Sequence, residues 1–312
     1  MRLLVPLLLL AQSGSPTPPS APLAANAPFT VAVNTSTIEG AAAYVADHGP
    51  LGSGFTVING GVRNLSNNSA HAATNAETQM LIVGNPKVRL LLTVAEGVYR
   101  IVAKRSAGIR QASDLRGKRI TVPRNTSAHY FLVRALATAG IAESDVTLVD
   151  LPRDQMAAGL IKGQADAIVM WEPEAQKAVE ALAQNALVFP NDGRYRELFS
   201  LYSTTDVLSD ARRRKELVQL VHAVIVATDE LKTNPQPHLP LIAKTVGQPE
   251  DLVARSWTHH VFRADLPSDL LDVMVEEDVW IARNQKRAPR TRAMLAALID
   301  ASVLADARSL SR

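Results

Sequence analysis

The chain has 312 residues, of which 47% are hydrophobic and 20% charged, a composition typical of a soluble globular protein with one large or two modest domains. A net charge of +3 is too small, and an aromatic content of 4% too low, to predict a nucleic-acid-binding protein. The absence of cysteine excludes disulfides, thiolate metal sites and cysteine nucleophiles.

The N-terminal segment has the pattern of an export signal. Arg2 precedes an apolar run of nine residues, 3–11, which is too short to span a bilayer. Small and proline-rich residues follow it. We therefore predict that residues 1–27 are a secretory signal peptide with a proline-rich spacer, and that the protein is periplasmic. A membrane anchor or a wrongly assigned start of the sequence is the alternative interpretation.

Strands and helices alternate through the first two thirds of the chain, which predicts parallel or mixed sheets covered on both faces. Beyond Ser209 the pattern is almost wholly helical, with 210–233 as the longest helix. The predicted strands are 29–33, 55–58, 88–94, 98–103, 119–122, 146–149 and 165–171, and the predicted helices between them include 127–139 and one that Asp154 caps and Gly163 ends.

One site-like segment is 124–130, which follows a strand and opens a helix. Thr126 or Ser127 caps this helix in our prediction, and its remaining free N–H groups and partial positive charge suit an anion. Arg124 would add a full charge. An ordinary helix cap is the alternative.

A second site-like segment is Trp171-Glu172-Pro173, at the carboxyl end of a buried strand, where ligands of open α/β sheets bind. Trp171 would cover an apolar part of a ligand, and Glu172 would accept a hydrogen bond from an amine. A packed tryptophan and a capping glutamate are the alternative. Segments 34–37 and 74–77 also offer polar donors at strand-to-helix junctions, as turns commonly do.

Several enzyme motifs are missing. The sequence has no G-x-S-x-G nucleophile elbow, no Walker A lysine loop and no G-x-G-x-x-G dinucleotide motif. The seven histidines are dispersed, so we predict no metal site. We also predict that the protein has no cofactor and is not an enzyme.

The segment of about 70 residues that begins at Ser113 resembles the nitrate/sulfonate/taurine-type solute-binding proteins of ABC importers. The resemblance rests on four elements in order: the turn D-L-R-G-K at 114–118, the loop N-T-S-A-H-Y at 125–130, G-Q-A-D-A at 163–167 and W-E-P at 171–173. Asn125 departs from the glycine usual at its position, but asparagine tolerates a left-handed backbone.

This resemblance implies an α/β, bilobal periplasmic-binding-protein fold of type II, with two mixed-sheet lobes joined by a hinge and a helical C-terminal part. Residues 28–119 plus 206–312 would form lobe 1, and residues 120–205 lobe 2. The ligand would lie between the lobes and be enclosed by hinge closure. The expected ligand-binding residues are Thr126, Ser127, Ala128 and His129 at the anion end, Trp171 and Glu172 opposite, and, by position only, Asn34, Thr35 and Asn75 in lobe 1.

The expected function is capture of a small sulfonate-like, nitrate-like or other organic anion for an ABC permease in the inner membrane, by a monomer. Glu172 favours a zwitterion over a purely negative ligand. An enzyme on the same fold, related to pyrimidine synthases or chorismate dehydratases, is an alternative that the lack of cysteine and the leader disfavour. A ligand-sensing module is a further alternative, which the sequence does not separate from transport.

Overall fold

A computed structural model describes residues 21–24, 26–193 and 195–310, so the predicted leader lies almost wholly outside the described residues. Two mixed sheets organise the fold. Their strands are β1 (Phe29–Val33), β2 (Phe55–Asn59), β3 (Ala72–Ala76), β4 (Val88–Gly97), β5 (Ile101–Lys104), β6 (Arg119–Thr121), β7 (Thr147–Val149), β8 (Ala167–Val169), β9 (Ala186–Phe189), β10 (Glu197–Thr204) and β11 (His260–Asp265).

The first sheet has the order β11-β4-β10-β3-β1-β2, and the second the order β7-β6-β8-β5-β9. In the first, β1 is parallel to β2 and β3, whereas β10 is antiparallel to β3 and β4. In the second, β6 is parallel to β7 and β8, whereas β5 is antiparallel to β8 and β9. The predicted α/β class with two mixed sheets is confirmed.

Helices cover the sheets and dominate the C-terminal part. They are α1 (Ala41–His48), α2 (Arg63–Ser66), α3 (Glu77–Val83), α4 (Ser127–Thr138), α5 (Met156–Ile161), α6 (Glu174–Leu182), α7 (Thr205–Ser209), α8 (Ala211–Thr233), α9 (Leu239–Val246), α10 (Glu250–Ser256), α11 (Leu270–Asn284), α12 (Arg292–Ala296) and α13 (Ser302–Ser309). Across the described ranges, none of these helices combines the length and hydropathy that a bilayer crossing requires.

The longest helix, α8, matches the prediction for 210–233. Asp210 caps it, and its side chain accepts a hydrogen bond from the backbone N–H of Arg213 at 2.8 Å. The C-terminal part is nevertheless not wholly helical, because β11 adds to the edge of the first sheet beside β4. In β11, His260 and Phe262 are buried and Val261 between them is exposed, which is the alternation of a strand.

The chain crosses between the sheets twice. The first crossing joins the end of β4 at Gly97 to the start of β5 at Ile101, and the second joins β9 to β10 across residues 190–196. Both predicted lobe boundaries, 119/120 and 205/206, lie later in the chain than the sheet boundaries. Ile101 already pairs with Val169 and Phe189 of the second sheet, and β10 already pairs with β3 and β4 of the first. Antiparallel β5 has no βαβ signature that would have assigned it to the later sheet.

The centre of the first sheet is buried on both faces. All residues of β10 are buried, and so is β4 apart from Arg89. Apolar side chains of α1, α8, α9 and α13 cover one face, whereas the other face continues into a core that α3, α4 and α11 share with the second sheet. The buried strands β4 and β10 are followed by β3 and β1 in this sheet. They hold the carboxyl ends of β1 and β3 in place, where the polar residues Asn34 and Asn75 are found.

Candidate functional site

A cavity of about 450 Å³ lies where the two sheets approach each other. Both sheets contribute residues to its wall. Those on the side of the first sheet are Asn34, Ser36, Thr37, Glu39, Asn59, Gly60, Gly61, Arg63, Asn64, Asn75, Ala76, Gln79, Glu197 and Phe199, and those on the side of the second are Thr126, Ser127, Arg153 and Trp171. The volume suits a small organic molecule.

A double-glycine turn after β2 forms one part of the wall. Asn75 Oδ1 accepts a hydrogen bond from the N–H of Val62 at 3.0 Å, and Asn64 Oδ1 accepts one from Gly61 at 3.0 Å. A Cβ atom on Gly61 would lie 2.4 Å from Asn75 Oδ1. The glycine is therefore required for the close approach that holds Asn75, a predicted site residue, at the cavity.

The loop after β1 brings Asn34 to the cavity but not Thr35. Asn34 Oδ1 accepts hydrogen bonds from the backbone N–H of Ser36 at 3.2 Å and from its hydroxyl at 2.7 Å, so this amide also stabilises the turn. The N–H of Thr35 donates to Asn59 Oδ1 at 3.2 Å, and Thr35 is not part of the cavity wall. The loop is thus held by the side-chain amides of Asn34, within it, and of Asn59, the last residue of β2.

The start of α4 faces the cavity with Thr126 and Ser127. Thr126 is the helix cap: its hydroxyl donates to the carbonyl of Pro123 at 2.6 Å and accepts from the N–H of His129 at 3.5 Å. The Ser127 hydroxyl donates to Glu197 Oε1 at 3.0 Å and lies 2.8 Å from the hydroxyl of Tyr99. The helix start is thus already linked to a buried carboxyl of the first sheet.

Ala128 and His129 lie away from the cavity. Ala128 is fully buried in the core between the sheets. His129 Nδ1 accepts a hydrogen bond from the N–H of Asn125 at 3.2 Å, so its Nε2 carries the proton that faces Glu143 Oε1 at 2.9 Å. Its ring also packs edge-on against Trp280. Residues 128 and 129 point inward because a helix turns each successive side chain by about 100°.

Trp171 lines the cavity, whereas Glu172 turns into the interior. The guanidinium of Arg153 lies 5.3 Å from the centre of the Trp171 ring, a cation–π arrangement. Glu172 is 4% exposed and accepts hydrogen bonds from Arg100 Nε at 3.0 Å and Nη2 at 2.7 Å. Burial raises the pKa of Glu172, and the charge of Arg100 opposes that rise. Glu172 therefore serves an internal ion pair and does not face the ligand side.

Sequence reasoning missed the charged residues of the wall. Glu39 and Glu197 are buried carboxyls on the first-sheet side, and Arg63 and Arg153 are exposed guanidiniums. Glu39 follows a polar turn after a strand, a signal that could have identified it. Glu197 begins a continuously buried strand, and nothing in its neighbourhood along the chain marks it.

Burial, followed by the charges of Glu39 and Glu77, raises the pKa of Glu197 well above its ordinary value. The hydroxyls of Ser127 and Tyr99 oppose this rise by donating to the carboxyl. The cavity therefore contains a carboxyl whose proton is sensitive to any charge placed beside it.

Comparisons with known proteins agree with this architecture. The model of the "NMT1/THI5 like" family matches residues 60–237, more than half of the chain. The chain is 26% identical over 161 residues to a candidate aliphatic sulfonates-binding protein of Escherichia coli (strain K12), covering 51% of this chain and 49% of that protein. It is 26% identical over 219 residues to the taurine-binding periplasmic protein of the same organism, covering 69% of this chain and 62% of that protein.

The chain thus spans about half the length of the first of these relatives and under two thirds of the second. Among solved structures, the alkanesulfonate-binding protein SsuA from Xanthomonas axonopodis pv. citri, bound to MOPS, has a TM-score of 0.71. That similarity covers 88% of this chain and 98% of the other at 18% identity. At this identity the likeness describes the fold.

Proposed function

Because the chain belongs to the NMT1/THI5-like family, we propose that it is the extracytoplasmic solute-binding component of an ABC importer. It captures a small organic anion between two lobes and closes around it at a hinge. Relatives named for sulfonate and taurine binding support this proposal. In this function the protein acts in the periplasm as a binding protein rather than an enzyme, and its partner is the permease in the inner membrane.

The observation that carries the proposal is a polar cavity whose wall comes from both sheets. Asn34 and Asn75 contribute from the first sheet, and Ser127 and Trp171 from the second. A ligand that contacts both sides stabilises the arrangement in which they are close, so binding and closure are the same equilibrium. The two lobes of this proposal follow the two sheets, with the crossing after β4 and the crossing before β10 as the hinge.

The acid group of the solute binds at the side of the second sheet. The start of α4 offers the partial positive charge of a helix N-terminus beside Ser127, and Arg153 adds a full charge above Trp171. Within the described ranges, Arg153 has no carboxylate at ion-pair distance, so its charge is available to a ligand. Trp171 gives the same end an apolar surface for the carbon skeleton of the solute.

A thermal-shift screen followed by calorimetry tests the proposal. The panel contains nitrate, aliphatic sulfonates, taurine, aromatic acids and pyrimidines, and we expect micromolar or tighter binding of at least one organic anion. Replacing Arg153 by glutamine should weaken that binding about tenfold, because a hydrogen bond to a charged group is lost. Arg110→Gln, an exposed arginine away from the cavity, is the matched control. Absence of binding across the panel would contradict the proposed function.

A further inference from the structure

Two buried carboxyls stand on the first-sheet wall of the cavity. Glu39 lies in the short turn Ile38–Gly40 after β1, and Glu197 is the first residue of β10. They are 2% and 4% exposed. A carboxyl group in such a place is costly unless its oxygens receive hydrogen bonds or a positive charge lies near it.

Each of these carboxyls keeps one oxygen without a hydrogen-bond partner among the described residues. Glu197 Oε1 accepts from the hydroxyls of Ser127 at 3.0 Å and Tyr99 at 3.1 Å, but its Oε2 has no donor. Glu39 Oε1 lies 3.4 Å from Nε2 of His260, and its Oε2 also lacks a donor. Buried acceptors without donors are rare in folded proteins, so the pair requires an explanation.

The positive side chains of the cavity do not supply that explanation. Arg63 and Arg153 are both exposed, and in the described part of the chain neither lies within ion-pair distance of Glu39 or Glu197. Arg153 instead covers the ring of Trp171. The wall thus carries acceptors on the first-sheet side, while guanidinium groups that no carboxylate neutralises remain at the cavity.

We propose that the solute carries an ammonium or similar N–H donor group, which Glu39 and Glu197 bind, in addition to the acid group bound near Arg153. This inference rests on the proposed function and specifies its ligand class. An anion without a donor would supply no hydrogen to the free oxygens of Glu39 and Glu197 and would keep Glu197 in its protonated form. A solute with both groups satisfies the carboxyls and the guanidiniums together.

Solute binding should also change the protonation state of Glu197. The protonated form of Glu197 is favoured by burial and by the neighbouring acids, which raise its pKa. An ammonium group beside it favours the ionised form. Binding of the donor-bearing solute should therefore release a proton, whereas an anion alone should release none and stabilise the protonated acid further.

Matched ligand pairs test the inference with the intact protein. Taurine is compared with ethanesulfonate, and β-alanine with propionate, because the members of each pair share an acid group and differ in the amine. We expect the amine-bearing member to bind at least tenfold more tightly in each pair that binds. Calorimetry in two buffers of different ionisation enthalpy should show proton release for the amine-bearing member only.

Two substitutions test whether Glu39 and Glu197 cause the preference for the amine and the release of a proton. Glu39→Gln and Glu197→Gln should each reduce the preference for the amine, and Glu197→Gln should also abolish the proton release. Asp272→Asn, at an exposed position of α11 away from the cavity, is the control that should change neither. If a carboxyl variant fails to fold, the inference is still tested with the wild-type protein, by the affinities of the matched ligands and by the number of protons released on binding.

The outcomes separate this inference from the function on which it rests. Equal or tighter binding of the amine-free members, or binding only of panel anions that lack a donor, would overturn the inference and leave solute capture intact. If no member of the pairs and no compound of the wider panel bound, this result would contradict the proposed function and therefore also the ligand class inferred from it.

Discussion

Among single residues, Gly97 lies in close contact with Glu197, a residue of the cavity wall. Gly97 ends β4 at the first crossing, and a Cβ atom there would lie 2.4 Å from Glu197 Oε2. Glu197 cannot retreat freely, because Tyr99 and Ser127 hold its other oxygen. The absence of a side chain at Gly97 therefore defines where the carboxyl stands.

Replacing Gly97 by alanine should displace Glu197 from Ser127 and Tyr99. We expect the variant to lose about 1–3 kcal/mol of unfolding free energy, as overpacked sites do, and to bind the preferred solute about tenfold more weakly. Denaturant unfolding and calorimetry measure the two effects. Gly54→Ala is the control, since a Cβ atom at that position meets no atom within 4 Å. Unchanged affinity in Gly97→Ala would show that the position of Glu197 does not matter for binding.

Some site residues could be predicted from the sequence and others could not. Thr126 as helix cap followed from its place before an apolar helix, because a cap depends on residues three positions away. The orientation of the Glu172 side chain depends on its ion pair with Arg100, which is 72 residues away in the chain. A pairing of that range leaves no local pattern, so the sequence could not distinguish Glu172, turned inward, from Glu197, which lines the cavity.

At the scale of elements, α3 and α11 are joined by a buried pair of carboxyls. Glu77 and Glu277 are both fully buried, on α3 and α11, which pack against each other. Two neighbouring buried carboxylates repel each other, so one of them keeps a proton. Tyr195, in the second crossing, donates to Glu77 Oε1 at 2.8 Å, and Thr78 donates to Glu277 Oε1 at 3.0 Å. Burial, and then the charge of Glu77, raises the pKa of Glu277 well above its ordinary value.

This pair makes stability depend on pH. A carboxyl whose pKa is raised in the folded state contributes stability at low pH and loses it as the pH rises through the folded pKa. Glu277→Gln should remove the part of that dependence to which Glu277 contributes, because an amide does not ionise, whereas Glu197 keeps its own contribution. Urea unfolding from pH 5 to pH 9 should show the wild-type protein losing up to about 1.4 kcal/mol per pH unit relative to the variant between the ordinary carboxyl pKa and the raised folded pKa, with no further loss above the raised pKa.

Glu276→Gln, at the neighbouring exposed position on α11, provides the comparison for this experiment. It should follow the pH dependence of the wild-type protein, since its side chain is at the surface. Parallel curves for the wild-type protein and Glu277→Gln across the range would mean that the two carboxyls do not share a proton.

The helices and strands differ in how well the sequence predicts them. The strands β1 and β6 and the helices α4 and α8 were found within one or two residues, because hydrophobic periodicity, caps and breakers are local. The assignment of β5 to the second sheet was not predictable in this way, because antiparallel pairing with β8 and β9 joins segments more than sixty residues apart. The strand β11 was missed because its partner β4 lies far earlier in the chain.

At the scale of the whole molecule, two surface ion pairs connect elements of the two sheets. Arg255 of α10 lies 2.5 Å from Glu180 of α6, and Arg134 of α4 lies 2.6 Å from Glu276 of α11. In each pair one partner belongs to the layers of the first sheet and the other to those of the second. If the lobes separate when the solute leaves, these pairs exist in only one of the two arrangements.

Breaking such a pair should change affinity more clearly than stability. An exposed ion pair is worth about 0.2–1 kcal/mol, which is a small part of the unfolding free energy. A difference of this size between the open and closed arrangements nevertheless shifts their ratio, and with it the apparent affinity, by up to about fivefold. Glu180→Gln should therefore weaken solute binding two- to fivefold at low salt, although Glu180 is not part of the cavity wall.

Calorimetry at two ionic strengths checks this expectation, because salt screens exposed charges and should bring the affinity of the wild-type protein towards that of Glu180→Gln. Asp272→Asn is the control: it breaks another exposed pair, Asp272 with Arg292, which joins α11 to the neighbouring α12. If both variants bound the solute as the wild-type protein does, and salt made no difference, the ion pair between α6 and α10 would have no part in closure. A loss confined to Glu180→Gln would tie solute affinity to contacts that only the closed lobes can make.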